Sequence, residues 1–410
     1  MNNTEKLSWG MFKKLNYSLL TNLVDILLPI ATLSLALRYL SADDYGSYLI
    51  VFLVYQTLIS LFVIAFGQFF IRSNLLSKSG SSLNKIFGCQ LILSVISAAL
   101  FLLACLFLSV FTKINAYVAF SFFVVTLSSF LNFDWYFYLK QSYKVLFLRS
   151  IITKLILLIA VYFCLKQTQS VVVYGFLMAT SCFVSFLLSY QIVKKIEGLS
   201  LDIDFLYFKN FFYEARHFFA NSLVGSTYKY LDQFLVGILL NKSDLVYLNI
   251  LKQMLGVTTL IPTTVSRFLS PWSIVAESES RLFLFHKTIF FYYFLLSALI
   301  CFFVTLFGSP LINFITSGKI SLPIYSLVIC SFCALISSLA VYVDTQHSVP
   351  LKKEHITTKS NLVVLILFSS LIVPAICIYS YLGALISLLI AELAGLLMML
   401  YLHNLKYRQV

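Results

Sequence analysis

Two charged residues, Lys229 and Asp232, stand within an apolar stretch that has the length of a membrane-spanning helix. The stretch covers residues 218–240. A charged side chain at the centre of a bilayer costs about 3 kcal/mol, and residues three apart lie on one face of a helix. We therefore expect that face to line a protein interior or a water-filled cavity. A purely structural ion pair between the two side chains is the alternative.

Other ionisable residues stand in further apolar stretches. Lys252 lies in the stretch that follows, Asp25 in the first and Glu392 in the last. Two lysines in one cavity suit an anionic substrate, for which phosphate is the natural candidate. A carboxylate in a low-dielectric cavity can take up a proton near neutral pH. The predicted ion-coupling residues are therefore Asp25, Asp232 and Glu392.

The segment 134–138 is rich in aromatic residues and lies at the predicted cytoplasmic end of the fourth apolar stretch. Such residues anchor helices at the membrane interface. Their rings also bind sugars and lipid headgroups. Both interpretations stay open, so Asp134 and Trp135 are candidate substrate contacts beside Lys229 and Lys252.

The composition is that of an integral membrane protein. Of the 410 residues, 60% are hydrophobic and 11% are charged, and the mean hydropathy is +0.93. Long apolar runs predict an all-α membrane protein with two six-helix bundles, residues 1–193 and 217–410, joined by a cytoplasmic linker at 194–216 that carries an amphipathic helix. The twelve predicted transmembrane helices cover 15–38, 45–67, 86–110, 116–138, 150–165, 170–193, 217–240, 245–268, 287–307, 322–344, 361–380 and 383–402.

The distribution of Lys and Arg predicts the orientation. With both termini in the cytoplasm, 22 of the 29 fall on the cytoplasmic side and 5 on the opposite side, while Lys229 and Lys252 are buried within helices. This bias explains the net charge of +13 without a nucleic-acid partner. The eight Cys lie in or beside apolar runs, and the five His show no ligand spacing. The sequence therefore predicts neither a metal nor another cofactor.

Several short motifs occur in the order in which a known family carries them. On these motifs the chain resembles the Wzx-type O-antigen flippases, polysaccharide transporters of the superfamily that includes the multidrug (MATE) exporters. Ser41 departs from the pattern, because the family has Gly at that turn. The motifs are Arg38-Tyr39-Leu40 with Tyr45-Gly46-Ser47-Tyr48, Asn132-Phe133-Asp134-Trp135-Tyr136-Phe137, Asp232-Gln233-Phe234-Leu235-Val236-Gly237, Gly308-Ser309-Pro310-Leu311-Ile312, and Gly383-Ala384 with Glu392.

The resemblance implies a transporter in the bacterial inner membrane that is not an enzyme. Such proteins move an undecaprenyl-diphosphate-linked oligosaccharide repeat unit from the cytoplasmic to the periplasmic leaflet by alternating access. Lys229 and Lys252 would then meet the diphosphate or an acidic sugar, and Tyr228 would stack on a sugar ring. The protein partners that the family implies are an O-antigen polymerase and a chain-length regulator. The lipid bilayer is the other expected partner.

Two other classes of protein are alternatives. An O-antigen polymerase, a membrane glycosyltransferase, would need a large periplasmic loop with catalytic Arg or His, whereas the predicted outer loops are short and lack His. A MATE-type exporter of small molecules would favour an acidic cavity for cationic drugs, whereas the predicted cavity here contains two lysines.

Overall fold

The computed structural model describes residues 3–76, 83–278, 282–348 and 354–407, and within these ranges the regular structure is helical. Ten segments are long and apolar enough to span a membrane, and α1 and α9 complete twelve long helical segments. The predicted all-α fold with about twelve helices is confirmed. The helices are α1 (Asn3–Tyr39), α2 (Ala42–Leu58), α3 (Ala65–Leu76), α4 (Leu83–Phe111), α5 (Ala116–Leu127), α6 (Asp134–Leu139), α7 (Tyr143–Thr168), α8 (Val171–Glu197), α9 (Phe205–Leu239), α10 (Lys242–Ser278), α11 (Leu282–Ile315), α12 (Ile324–Val343), α13 (Glu354–Tyr379) and α14 (Tyr381–Tyr407).

Three of the long segments in the described residues change their helical hydrogen-bonding pattern along their length, and in one of them α12 continues into a π-helical stretch, Asp344–Ser348. A π-helical stretch, Ile59–Ile64, joins α2 to α3, and a 3₁₀ turn, Ser128–Leu131, stands between α5 and α6. Such irregular turns reorient the side chains that follow them. The 3₁₀ turn places Asp134 at the first position of α6.

The helices form two compact units, Met1–Ile238 and Leu239–Val410. In the first unit α7 packs between α1 and α8, and α5 packs against α4 and α8. In the second unit α12 packs against α10, α11 and α14, and α13 pairs with α14. The boundary of the compact units falls one helix later than the predicted start of the second bundle at residue 217. The predicted bundles stay a prediction about the arrangement in the membrane.

The fifth helix is longer than predicted. The predicted bounds 150–165 are wrong, because α7 runs from Tyr143 to Thr168 and qualifies as a membrane span over its whole length. Arg149 and Lys154, which the orientation count assigned to the cytoplasmic side, therefore lie inside this helix. Hydropathy penalises each cation as though lipid surrounded it, whereas both have acidic partners in the folded protein.

The linker between α8 and α9 is fastened to the start of α4. Gly198 ends α8 in the left-handed conformation, with φ of +64°. The backbone N–H of Ser200 donates to Asn84 Oδ1 at 3.0 Å. A Cβ at Gly88 would stand 2.0 Å from the carbonyl oxygen of Asp202, so only glycine permits this close approach.

The predicted amphipathic segment of the linker is helical from residue 205 onward, but it continues directly into the rest of α9. Asp204 precedes this helix and accepts a hydrogen bond from the backbone N–H of Tyr207 at 3.0 Å. The same carboxylate pairs with Lys85 Nζ at 2.8 Å. The start of α9 is therefore positioned by α4.

Candidate functional site

Arg149 of α7 is enclosed by acceptors from two neighbouring helices. Its Nη1 donates to Asp134 Oδ1 of α6 and to Ser189 Oγ of α8. Only 9% of the Arg149 side chain is exposed, and Ser189 is fully buried. Both hydrogen bonds come from Nη1, whereas the buried Nε of Arg149 has no hydrogen-bond partner among the described residues. The charge of Arg149 is therefore paired, although one of its donors is not.

The break before α6 holds Asp134 in place for this contact. The backbone N–H of Asp134 donates to Asn132 Oδ1 at 3.0 Å. Gln90 of α4 in turn donates from Nε2 to the carbonyl oxygen of Asn132. The carboxylate therefore stands at a helix N-terminus, where the helix dipole favours negative charge.

A second acid–base pair lies further along α7. Lys154 Nζ contacts Asp25 Oδ1 of α1, and Ser150 Oγ donates to the same oxygen at 2.8 Å. Ser150 and Lys154 are four residues apart, which places both donors on one face of α7. Asp25 therefore receives its two donors from successive turns of a single helix.

This pair lies in the middle part of α1 and of α7, and α7 is long and apolar enough to span a membrane. Asp25 precedes the end of α1 at Tyr39 by fourteen residues, and Lys154 precedes the end of α7 at Thr168 by the same number. At 1.5 Å per residue, both lie about 21 Å from those ends. The hydrocarbon core of a bilayer is about 30 Å thick, so the pair lies at membrane depth.

The Asp25–Lys154 pair is partly open. The exposed fraction of the side chain is 47% for Asp25 and 26% for Lys154. Lipid cannot solvate charges at this depth. The open side of the pair therefore requires water, protein or a polar ligand.

The contact between α1 and α7 continues on both sides of the pair. Tyr17 and Phe147 pack with their ring centroids 5.9 Å apart. Nearer the ends at Tyr39 and Thr168, the two helices border a groove of about 400 Å³ that is mostly apolar and includes Arg38. The charged pair thus lies between an aromatic contact and a mostly apolar groove.

Lys229 and Asp232 occupy different surroundings on α9. Lys229 is exposed, with its Nζ 5.1 Å from the ring centroid of Tyr230. Asp232 is fully buried, and its Oδ1 accepts a hydrogen bond from the Gln233 N–H at 2.8 Å. Tyr228 is half-buried. The sequence placed both residues on a helix face that lines a protein interior or a cavity. The acid is buried and the lysine is exposed, and their roles as site residues stay predictions.

Trp135 is enclosed by aromatic side chains. It is 4% exposed, and its ring packs against those of Phe66, Phe70 and Phe133. A Cβ on Gly67 would stand 3.0 Å from Trp135 Cβ, so α3 approaches closely here. This burial favours a packing role, and the predicted substrate contact of Trp135 stays a prediction.

The remaining predicted site residues lie in the second unit. Lys252 of α10 and Glu392 of α14 are each half-buried, and these two helices pack against each other. Within the described residues, no three His, Cys, Asp or Glu side chains are placed to hold a metal ion together.

A family model for polysaccharide biosynthesis proteins matches residues 11–273. The chain belongs to the polysaccharide biosynthesis protein family. The matched residues include most of α1 and all of α6, α7 and α8, and thus both ion pairs of α7. No protein in the curated collections matches the chain.

Solved structures share the fold of this family member at low sequence identity. A single-site mutant of the Vibrio cholerae MATE transporter VcmN has a TM-score of 0.60 and 11% identity, over 99% of this chain and 98% of that chain. The lipid II flippase MurJ in an inward closed conformation has a TM-score of 0.62 and 14% identity, over 95% and 87%. The eukaryotic MATE transporter AtDTX14 has a TM-score of 0.52 and 11% identity, over 96% and 95%. These similarities show a MATE-like fold.

In this polysaccharide biosynthesis protein, sequence reasoning missed the cationic partners on α7. Arg149 and Lys154 were assigned to the cytoplasmic side, although Asp25 and Asp134 were both singled out. One available signal was the length of the predicted fifth helix. Sixteen residues, 150–165, are fewer than the roughly 20 that a bilayer requires. Lys154 already falls within those bounds, and extending the helix toward its start brings Arg149 inside as well.

Proposed function

We propose that this protein is a flippase for an undecaprenyl-diphosphate-linked oligosaccharide repeat unit, such as an O-antigen unit. It would move the unit from the cytoplasmic to the periplasmic leaflet of the bacterial inner membrane. Membership of the polysaccharide biosynthesis family supports the substrate class. The observation that carries the proposal is the partly open Asp25–Lys154 pair at membrane depth, in a fold shared with a lipid II flippase.

The cargo explains why charge is kept within the membrane. A diphosphate loses its hydration if it enters a bilayer core about 30 Å thick, and bare charge there is costly. Lysine ammonium groups replace that hydration as point charges. Lys229 and Lys252 stay the proposed contacts for the diphosphate or an acidic sugar, with Tyr228 and Asp134 beside the sugar. The lipid tail would remain in the bilayer.

Net transport in one direction by alternating access needs a source of free energy. We propose that Asp25, Asp232 and Glu392 couple the movement to an ion gradient through their carboxylates. Asp25 is the best supported of the three, because its carboxylate pairs with a lysine and its side chain is partly exposed. An O-antigen polymerase and a chain-length regulator would act on the delivered units.

A MATE-type exporter of small molecules is the second candidate function. It is favoured by the similarity to VcmN over nearly the whole of both chains. Such an exporter would carry organic cations, for which an open carboxylate at Asp25 is a suitable contact. The two candidates differ in the charge of the cargo.

Deletion of the gene distinguishes them. In the deletion strain, single lipid-linked repeat units should accumulate on the cytoplasmic face of the inner membrane, and the wild-type gene should restore their delivery. Undiminished delivery in the deletion strain would contradict the flippase proposal. Loss of resistance to cationic dyes, with normal delivery, would support the exporter instead.

A further inference from the structure

The donors to Asp25 differ in how firmly the protein holds them. Ser150 is 7% exposed, and its hydroxyl donates to Asp25 Oδ1 at 2.8 Å. Lys154 contacts the same oxygen through a flexible four-carbon chain, with a quarter of its side chain exposed. Asp25 would therefore retain its hydrogen bond from Ser150 if the ammonium group moved to another acceptor.

The neighbouring cation on α7 has no comparable freedom. Arg149 is bound by Asp134 and Ser189 together, and its side chain is almost fully enclosed. A ligand could reach Arg149 only by opening the packing among α6, α7 and α8. Lys154 is thus the accessible cation of the pair on this helix.

We propose that Lys154 binds the phosphate oxygens of the substrate. When no substrate is present, the Asp25 carboxylate pairs with the Lys154 ammonium group. On binding, a diphosphate oxygen replaces the Asp25 carboxylate at Lys154 Nζ, while Ser150 continues to donate to Asp25. No covalent bond changes. This inference rests on the proposed function and adds a substrate contact to it.

The exchange keeps the cation paired in both states. Water can reach the open side of the pair, so an ammonium group without a counter-ion is only modestly less favourable there than a paired one. The Asp25 carboxylate supplies that counter-ion while the site is empty. The same carboxylate competes with the substrate. Removing the charge of Asp25 should therefore raise the affinity for the diphosphate, whereas removing the charge of Lys154 should lower it.

The test measures binding of undecaprenyl diphosphate to the purified full-length protein in nanodiscs, with undecaprenol as the uncharged probe. We expect Lys154→Met to weaken diphosphate binding by about tenfold, the loss of one charge-assisted contact. Lys154→Arg should retain most of the affinity because guanidinium also binds phosphate. Asp25→Asn should tighten binding severalfold, which misfolding cannot produce.

Lys166→Met is the matched control, because Lys166 is an exposed lysine in the last turn of α7. Its Nζ lies 6.0 Å from the Tyr162 ring centroid. It should leave the affinity unchanged. If the wild-type protein does not prefer undecaprenyl diphosphate to undecaprenol, the proposed function fails. If it does and Lys154→Met keeps that preference, or if Asp25→Asn weakens binding, only the present inference is overturned.

Discussion

Helix α7 carries two ion pairs that differ in how completely the protein encloses them. Arg149 is 9% exposed and donates to Ser189 and to an Asp134 that is 36% exposed, whereas Lys154 is 26% exposed beside an Asp25 that is 47% exposed. The two cations are five residues apart on the same helix. Their surroundings, rather than their sequence positions, separate an enclosed cation from a cation that a ligand can reach.

The energetic consequences of this difference run in opposite directions. Removing one member of an enclosed pair leaves its partner with an uncompensated charge, which is strongly destabilising. An open pair contributes little to stability, because water or a ligand can take the place of either member. Stability should therefore depend on Arg149, and transport on Lys154.

The largest effect on stability is expected for Arg149→Met. Asp134 and Ser189 would lose the cation that joins α6, α7 and α8, but Asp134 is 36% exposed and solvent can partly compensate its charge. The free energy of unfolding should therefore fall by about 2 kcal/mol, through the loss of two charge-assisted hydrogen bonds. Unfolding by SDS in detergent micelles measures this loss. Lys144→Met provides the control, because Lys144 is exposed in the first turn of α7. Equal stability of the two variants would contradict the structural role of Arg149.

Replacement of the two serines should give the next largest difference. Ser189→Ala removes a fully buried acceptor of Arg149, which should lower the free energy of unfolding by about 1.5 kcal/mol. Ser150→Ala removes a donor to the open Asp25 carboxylate, which water can replace, so its effect should be smaller. Paired SDS titrations of the two variants test the order. A larger loss for Ser150→Ala would reverse the comparison.

Lys154→Met should have a small effect on stability and a large one on transport. The pair is open, so we expect the free energy of unfolding to change by less than about 1 kcal/mol. Delivery of repeat units to the periplasm should nevertheless fall strongly at an unchanged protein level. Normal delivery of repeat units by this variant would contradict the role of Lys154 in transport.

The sequence predicted the elements of the first unit better than their contacts. Apolar run lengths indicated twelve helices, because the bilayer imposes a minimum length on each one. Asp25 and Asp134 also stood out in the sequence, the first because a charge within an apolar run is unusual. Their partners did not stand out, because Lys154 follows Asp25 by 129 residues and only tertiary packing brings them together.

Lys229 and Asp232 show that the sequence also does not predict how deeply each side chain is buried. Helical spacing correctly places both residues on α9, three residues apart. It does not determine how deeply each side chain is covered, which depends on the neighbouring helices. The fully buried Asp232 and the exposed Lys229 therefore had the same weight in the sequence, although their surroundings differ.

A third ion pair joins Asp204 of the linker to Lys85 in the first turn of α4, should show the smallest effect and completes the comparison. The hydrogen bond from Lys85, with that from the backbone N–H of Tyr207, holds the pKa of Asp204 below its ordinary value of 3.8. Because the folded-state pKa is depressed, the stabilisation is complete above the unfolded value and is lost as the pH falls through the folded value. The midpoint of thermal unfolding should therefore decrease slightly between pH 5 and about pH 3.

Asp204→Asn separates the charge from the helix cap, since Asn also caps α9 well. This variant should lose the Asp204 part of the acid dependence while keeping the start of α9 intact. Asp204→Ala should lose both the charge and the cap, and so should be the less stable of the two at pH 7. An unchanged acid dependence in Asp204→Asn would mean that other carboxylates determine it. The three pairs would then have to be compared at neutral pH alone. There, the loss of stability on breaking a pair should still increase with the burial of its cation.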